Sequence, residues 1–203
     1  MPRYVIGRRA SSRIVSVIFL FIIVLSLVFA GCGKIAGGNS LHIKSAATGE
    51  KDFALRANYA FAVTKTFTDI NNKITNASAY NVYVANYDLD AGNFAMTLDK
   101  PLSSDDQVRV MFSLIGEQGT NDKSPLKAGT YSAKADKYLR VETVGIVSRK
   151  GGADSKVWFD RSAVTGEVKV TSASADSISG DVDLTAGENV IKGSFTAKVL
   201  TRK

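Results

Sequence analysis

The chain has 203 residues, 26 of them basic and 19 acidic, with one cysteine and one histidine. A single cysteine excludes an intrachain disulfide framework, and the pair of lone residues excludes a Cys or His zinc cluster. The formal charge of +7 does not mark a nucleic-acid-binding protein: four of the arginines crowd into the first 13 residues, and the remaining 22 basic residues are interspersed with the 19 acidic ones instead of forming a stripe.

Arg3, Arg8, Arg9 and Arg13 make a basic head without an acidic residue, and Ile14 to Phe29 is apolar except for Ser16 and Ser26. Small residues, Ala30 and Gly31, then precede Cys32. A basic head, an apolar core and a small-residue site define an export signal. Phe29-Ala30-Gly31-Cys32 resembles the bacterial lipobox, although Phe29 stands where Leu is usual. The resemblance implies that the Cys32 thiol receives diacylglycerol, that signal peptidase II cuts between Gly31 and Cys32, and that the new amino terminus is acylated as well, with chains such as palmitate. Two or more acyl chains make a stable anchor, at about 0.8 kcal/mol per buried CH₂. Two alternatives stay open: the run is kept as a transmembrane helix with Arg3 to Arg13 cytoplasmic, or Cys32 merely follows an ordinary secretion site. The lipoprotein reading places the protein in the cell envelope. Gly33 after Cys32, where Asp tends to mean retention in the inner membrane, favours the outer membrane of a Gram-negative cell.

The expected organisation is therefore a signal peptide (1–31), a lipidated Cys32 with a flexible tether (32–40), and one domain (41–203). After cleavage 172 residues remain, enough for a core that needs no staples. Gly33 to Ser40 is small and Gly-rich, as a tether is. Phe53 to Phe67 alternates: Phe53, Leu55, Ala57, Tyr59, Phe61 and Val63 share one apolar face, and the other is mixed. Period two predicts a half-buried strand, while the alanines keep a helical alternative open. Tyr80 to Leu89 is a second strand, and Ala91-Gly92-Asn93 turns it into a hairpin with Phe94, Met96 and Leu98. Val108 to Leu114 is the next strand, and Gly116 to Gly129 the longest polar loop. Short strands follow at Gly129–Tyr131, Tyr138–Ser148 and Lys156–Phe159. Three more close the chain at Glu167–Thr171, Ile178–Leu184 and Val190–Leu200, the last interrupted by Gly193.

Ten or so strands with frequent turns and no strand–helix alternation predict an all-β fold: a single antiparallel β-sandwich, jelly-roll-like, after the signal helix. A β-barrel of calycin type is the alternative. Gly166 to Thr171, Ile178-Ser179-Gly180 and Ile191 to Phe195 look like the final meander of many secreted and lipid-anchored bacterial β-domains. That loose resemblance implies fold and no activity.

Candidate chemistry is sparse. His42 sits at the edge of the domain, unsuited to a catalytic triad. Neither Gly-x-Ser-x-Gly nor a phosphate loop occurs. Asp88 with Asp90, and Asp181 with Asp183, are i,i+2 pairs that could hold calcium or act as acid and base, but acidic residues beside tight turns are ordinarily solvated. Tyr80, Tyr83 and Tyr87 among Asn76, Asn81 and Asn86 form a possible ligand face, with rings to stack on sugars and amides to bond hydroxyls. Trp158 and Phe159 read as core, since adjacent strand residues face opposite sides and one must point inward. The best-fitting function is a non-enzymatic binding or scaffolding module, without cofactor or metal, whose partners are the membrane and an envelope protein or polysaccharide. Carriage of a lipid or other apolar ligand in a barrel is the alternative, and a carboxylate hydrolase ranks last.

Overall fold

A computed structural model describes residues 39–93, 98 and 100–200. The signal segment with Gly31 and Cys32, the tether up to residue 38, and the expected strand around Phe94 and Met96 lie outside the described residues. Eleven strands run through the rest: β1 (Ser40–Ser45), β2 (Gly49–Ala54), β3 (Ala57–Thr68), β4 (Ile74–Ala85), β5 (Val108–Gln118), β6 (Gly129–Ser132), β7 (Arg140–Lys150), β8 (Ala153–Trp158), β9 (Thr165–Ala173), β10 (Ser177–Ala186) and β11 (Asn189–Val199). The fold is all-β, and the last three strands fall where the alternation places them.

The strands form two runs. In one, β3, β4, β5 and β7 pair in that order, with β8 beside β7; in the other, β6, β9, β10 and β11 do, with β1 and β2 beyond β11. Two strands change partner along one edge. β10 occupies the whole of one edge of β11, while the other is shared by β1, antiparallel at Val190–Ser194, and β3, parallel at Lys198–Val199. β7 likewise gives one edge to β5 and divides the other between β8 and a parallel contact of Arg140 with Ser132 of β6. These two corners close the path β3–β4–β5–β7–β6–β9–β10–β11 on itself. The sheet is therefore mixed, where a purely antiparallel one was expected. The parallel contacts are confined to the two corners, where strands of the two runs pair through one or two residues.

One core fills the space inside. Val82, Val110, Phe112, Leu114 and Ile146 from the first run meet Ile43, Val168, Ile178, Leu184, Ile191 and Phe195 from the second. The rings of Phe112 and Phe195 touch edge to face, with centroids 5.1 Å apart. Tyr131 is fully buried there and donates its hydroxyl to Lys127 O at 2.9 Å; burial pushes its phenol up to about 12.

Three local expectations change. The predicted strand Phe53–Phe67 is two strands. Between them Leu55 N bonds Asn39 O at 2.7 Å and Arg56 N bonds Ala85 O at 2.8 Å, so the chain leaves one run and joins the other. The crossing reverses parity. Phe53 and Leu55 pack on the main core, but in β3 it is Ala60 and Ala62 that face it, and Tyr59, Phe61 and Val63 lie outside. The second strand begins at Ile74 and ends at Ala85, not at 80 and 89. Both of its edges are taken, by β3 and β5, so it cannot also pair across the turn at Ala91–Asn93. Finally, β11 runs straight through Gly193. Here φ is +140°, and a Cβ would lie 2.2 Å from Ser40 O; the glycine lets β1 come close.

Phe112→Ala and Phe195→Ala are each expected to cost about 3–5 kcal/mol. In urea unfolding the double variant should lose about 0.5–1.5 kcal/mol less than the sum of the singles, the share of the ring contact itself.

Candidate functional site

A sheet with a packed inner face usually turns charged and polar residues outward. The outer face of β3–β4–β5–β7–β8 does so only in part, since aromatic and small apolar residues stand among its polar ones. The register puts Tyr59, Tyr83, Met111, Gly145 and Trp158 in one row across five strands. The neighbouring row starts Phe61, Asn81, Ser113. It continues on β7 with Thr143, whose hydroxyl donates to Ser113 Oγ at 2.9 Å, while Ser113 donates to Asn81 Oδ1 at 2.6 Å. A relay of three polar side chains thus crosses the face beside its aromatic row. β4 sets the floor with small residues, Ala77, Ala79 and Ala85, all buried.

Clusters flank these rows at both ends. At one, Arg109 is 4% exposed and donates to Tyr87 Oη and to Leu98 O, each at 2.9 Å. Burial pushes the Tyr83 and Tyr87 phenols up, and the Arg109 charge draws them partly back. At the other, Phe67 and Tyr138 meet edge to face at 5.4 Å, Tyr138 Oη lies 2.6 Å from Thr75 Oγ1, and the Arg140 guanidinium sits 5.6 Å from the Phe67 ring. Glu142 accepts from both Lys65 and Arg140. Burial alone would raise the Glu142 carboxyl; the two cations outweigh it and hold it below its ordinary range.

Trp158 is the exposed element of the face. It is 54% exposed, and Phe159 beside it is buried. Alternation does send one of the two inward, but the reading of Trp158 as core is corrected. Its ring lies on Gly145: a Cβ there would sit 2.8 Å from Trp158 Cε3 and 3.3 Å from Met111 Cγ. One side of the indole rests on the β7 backbone, which only glycine permits.

The three tyrosines of the expected ligand face separate. Tyr83 and Tyr87 belong to the outer face, but Tyr80 is 2% exposed in the core, since it is one residue out of phase with Asn81 and three from Tyr83. Asn86 is spent on the backbone, bonding Val108 N and Asp106 O. His42 pairs with Asp52 at 2.8 Å on the β1–β2 surface. Asp90 closes its own turn, accepting from Gly92 N, Asn93 N and Asn93 Nδ2, and these bonds hold its carboxyl low. Asp183 pairs with Lys192 at 3.2 Å. Among the described residues no group of three or more His, Cys, Asp or Glu could hold a metal ion. Two open clefts have charged walls of both signs, one of about 590 Å³ beside Lys134, Asp136, Asp160 and Arg161, the other of about 430 Å³ beside Arg56, Asn58, Asp176 and Lys198.

No protein-family model, curated protein or solved structure matches the chain. What the geometry defines is an all-β domain with one ordered, aromatic-bearing outer sheet face.

Gly145→Ala is expected to lift the indole off β7, giving a red-shifted and more readily quenched emission from the only tryptophan at little cost in stability; unchanged emission would refute the stacking. Because the Glu142 carboxyl ionises below its ordinary value near 4.5, its contribution is complete above that pH and lost as pH falls through the lower folded-state value. Glu142→Gln should therefore cost about 1–3 kcal/mol at pH 7 and flatten the fall in urea midpoint on the acid side.

Proposed function

We propose that the chain is a lipid-anchored protein of the bacterial cell envelope, held by acylated Cys32, and that its domain is a non-enzymatic binding module. The observation that carries the binding reading is the exposed indole of Trp158 on an ordered outer face, in line with Met111 and Tyr83. A tethered module gains effective concentration for partners at the same surface. The anchor reading rests on the basic head, the apolar run and the small residues before Cys32, with Gly33 favouring the outer membrane. The partner is an envelope protein or polysaccharide and not a nucleic acid, given the interspersed charges.

The closed path of strands favours a second reading, a carrier of an apolar ligand. Its interior, however, is filled by Phe112, Phe195, Tyr131 and the aliphatic residues around them. A carrier needs an interior emptied of such side chains, so the support falls on the outer surface. The carboxylate hydrolase has less again, because Asp90 is occupied by its own turn.

The anchor is tested by the intact mass of protein extracted from its own membranes. A chain that starts at Cys32 and carries acyl mass is expected, with loss of membrane retention in Cys32→Ala. A full-length unmodified chain, retained equally in Cys32→Ala, would overturn the lipoprotein reading.

A further inference from the structure

We infer that the outer face takes a glycan, and that Trp158 is the plate on which a sugar ring stacks; the inference rests on the binding-module reading and names its ligand class. One side of the indole lies on Gly145, and Trp158 as a residue is 54% exposed. Such a plate suits the flat C–H side of a pyranose whose hydroxyls are equatorial, because that side is apolar and the rim polar.

The rim finds partners one row away. Side chains two residues apart on a strand point the same way and are separated by about 6.6 Å, roughly the width of a sugar ring. At that distance from the row of Gly145 and Met111 lie Thr143 and Ser113, with Asn81 next in line. Thr143 is exposed. Both hydrogen bonds in the relay point toward Asn81 Oδ1, so the relay ends on the Asn81 amide, whose NH₂ donates to nothing among the described residues. The groups are pre-oriented by one another, and a polar ligand meets donors and acceptors that lose little freedom on binding.

A protein partner fits the same face less well. A stable interface buries about 800 Å² on each side around a desolvated apolar centre. An aromatic side chain offers about 150–250 Å² in all, and Trp158 is the only large hydrophobic residue on this face with most of its surface open among the described residues. One plate beside a polar relay is short of a protein hot-spot cluster and sufficient for one sugar ring.

The test uses the full, membrane-extracted protein in detergent, with chitotetraose, cellotetraose and muramidase-released peptidoglycan disaccharides as probes. Since the chain has one tryptophan, emission reports the plate directly. Expected is a saturable change in emission with at least one probe, abolished as binding in Trp158→Ala (followed by calorimetry) and weakened about tenfold in Asn81→Ala and Thr143→Val, all with unchanged circular dichroism. No response to any probe, together with Trp158-dependent crosslinking to an envelope protein, would overturn the glycan and leave the binding module standing. Wild-type protein that is retained neither on envelope glycans nor on envelope proteins would overturn both.

Discussion

The edge-to-face contact of Phe112 with Phe195 joins the middle of one run of strands to the middle of the other. β5 and β11 each lie inside their run, so the pair fixes how the two halves face one another. Around it the aliphatic residues of both halves close a single core, and the corners at β3–β11 and β6–β7 need only one or two paired residues to complete the circuit. A sandwich and a barrel differ here in little more than those corners. Because the inside is full, the proposed recognition is left to the outside.

The outer face is possible because of what the inner face accepts. β3 turns Ala60 and Ala62 inward beside Val82 and Tyr80. Its larger side chains go out, where the buried alanines of β4 leave room for Tyr59, Phe61, Val63 and Phe67 to lie down on the sheet. Burial on both faces makes β5 the most enclosed strand of the domain, with the largely buried β4 and β7 on either side of it. It also rigidifies the relay from Thr143 to Asn81, since its members stand on strands held from both sides. Between the cluster around Arg109 and that around Glu142, the plate and the relay are the part of the face left for a ligand.

Much of the fold was legible in the sequence, and the misreadings share a cause. The closing meander could be read because short alternating strands are separated by local turns, which are properties of adjacent residues. β1 was missed because only Leu41 and Ile43 are apolar in it, and they become core only through pairing with β11. The hairpin at Ala91–Asn93 looked right locally, but pairing of β4 with β5, more than twenty residues away, takes the edge it needed. Alternation could show that Tyr80 and Tyr83 oppose one another; it could not show which side is the core when both are apolar. The same ambiguity hid Trp158, whose outward side is set by the register of β8 on β7. The glycine beneath it offers no signal in sequence, since Gly145 reads only as a weak strand residue.

The central proposal, that the Trp158 face is open on the protein and covered by a ligand in the cell envelope, can be tested by hydroxyl-radical footprinting read residue by residue. The account predicts rapid oxidation of Trp158 in the purified protein and strongly reduced oxidation in intact envelopes, with core residues such as Phe112 protected in both. Equal oxidation of Trp158 in the two preparations would mean that nothing covers the face where the protein works, and would contradict the account.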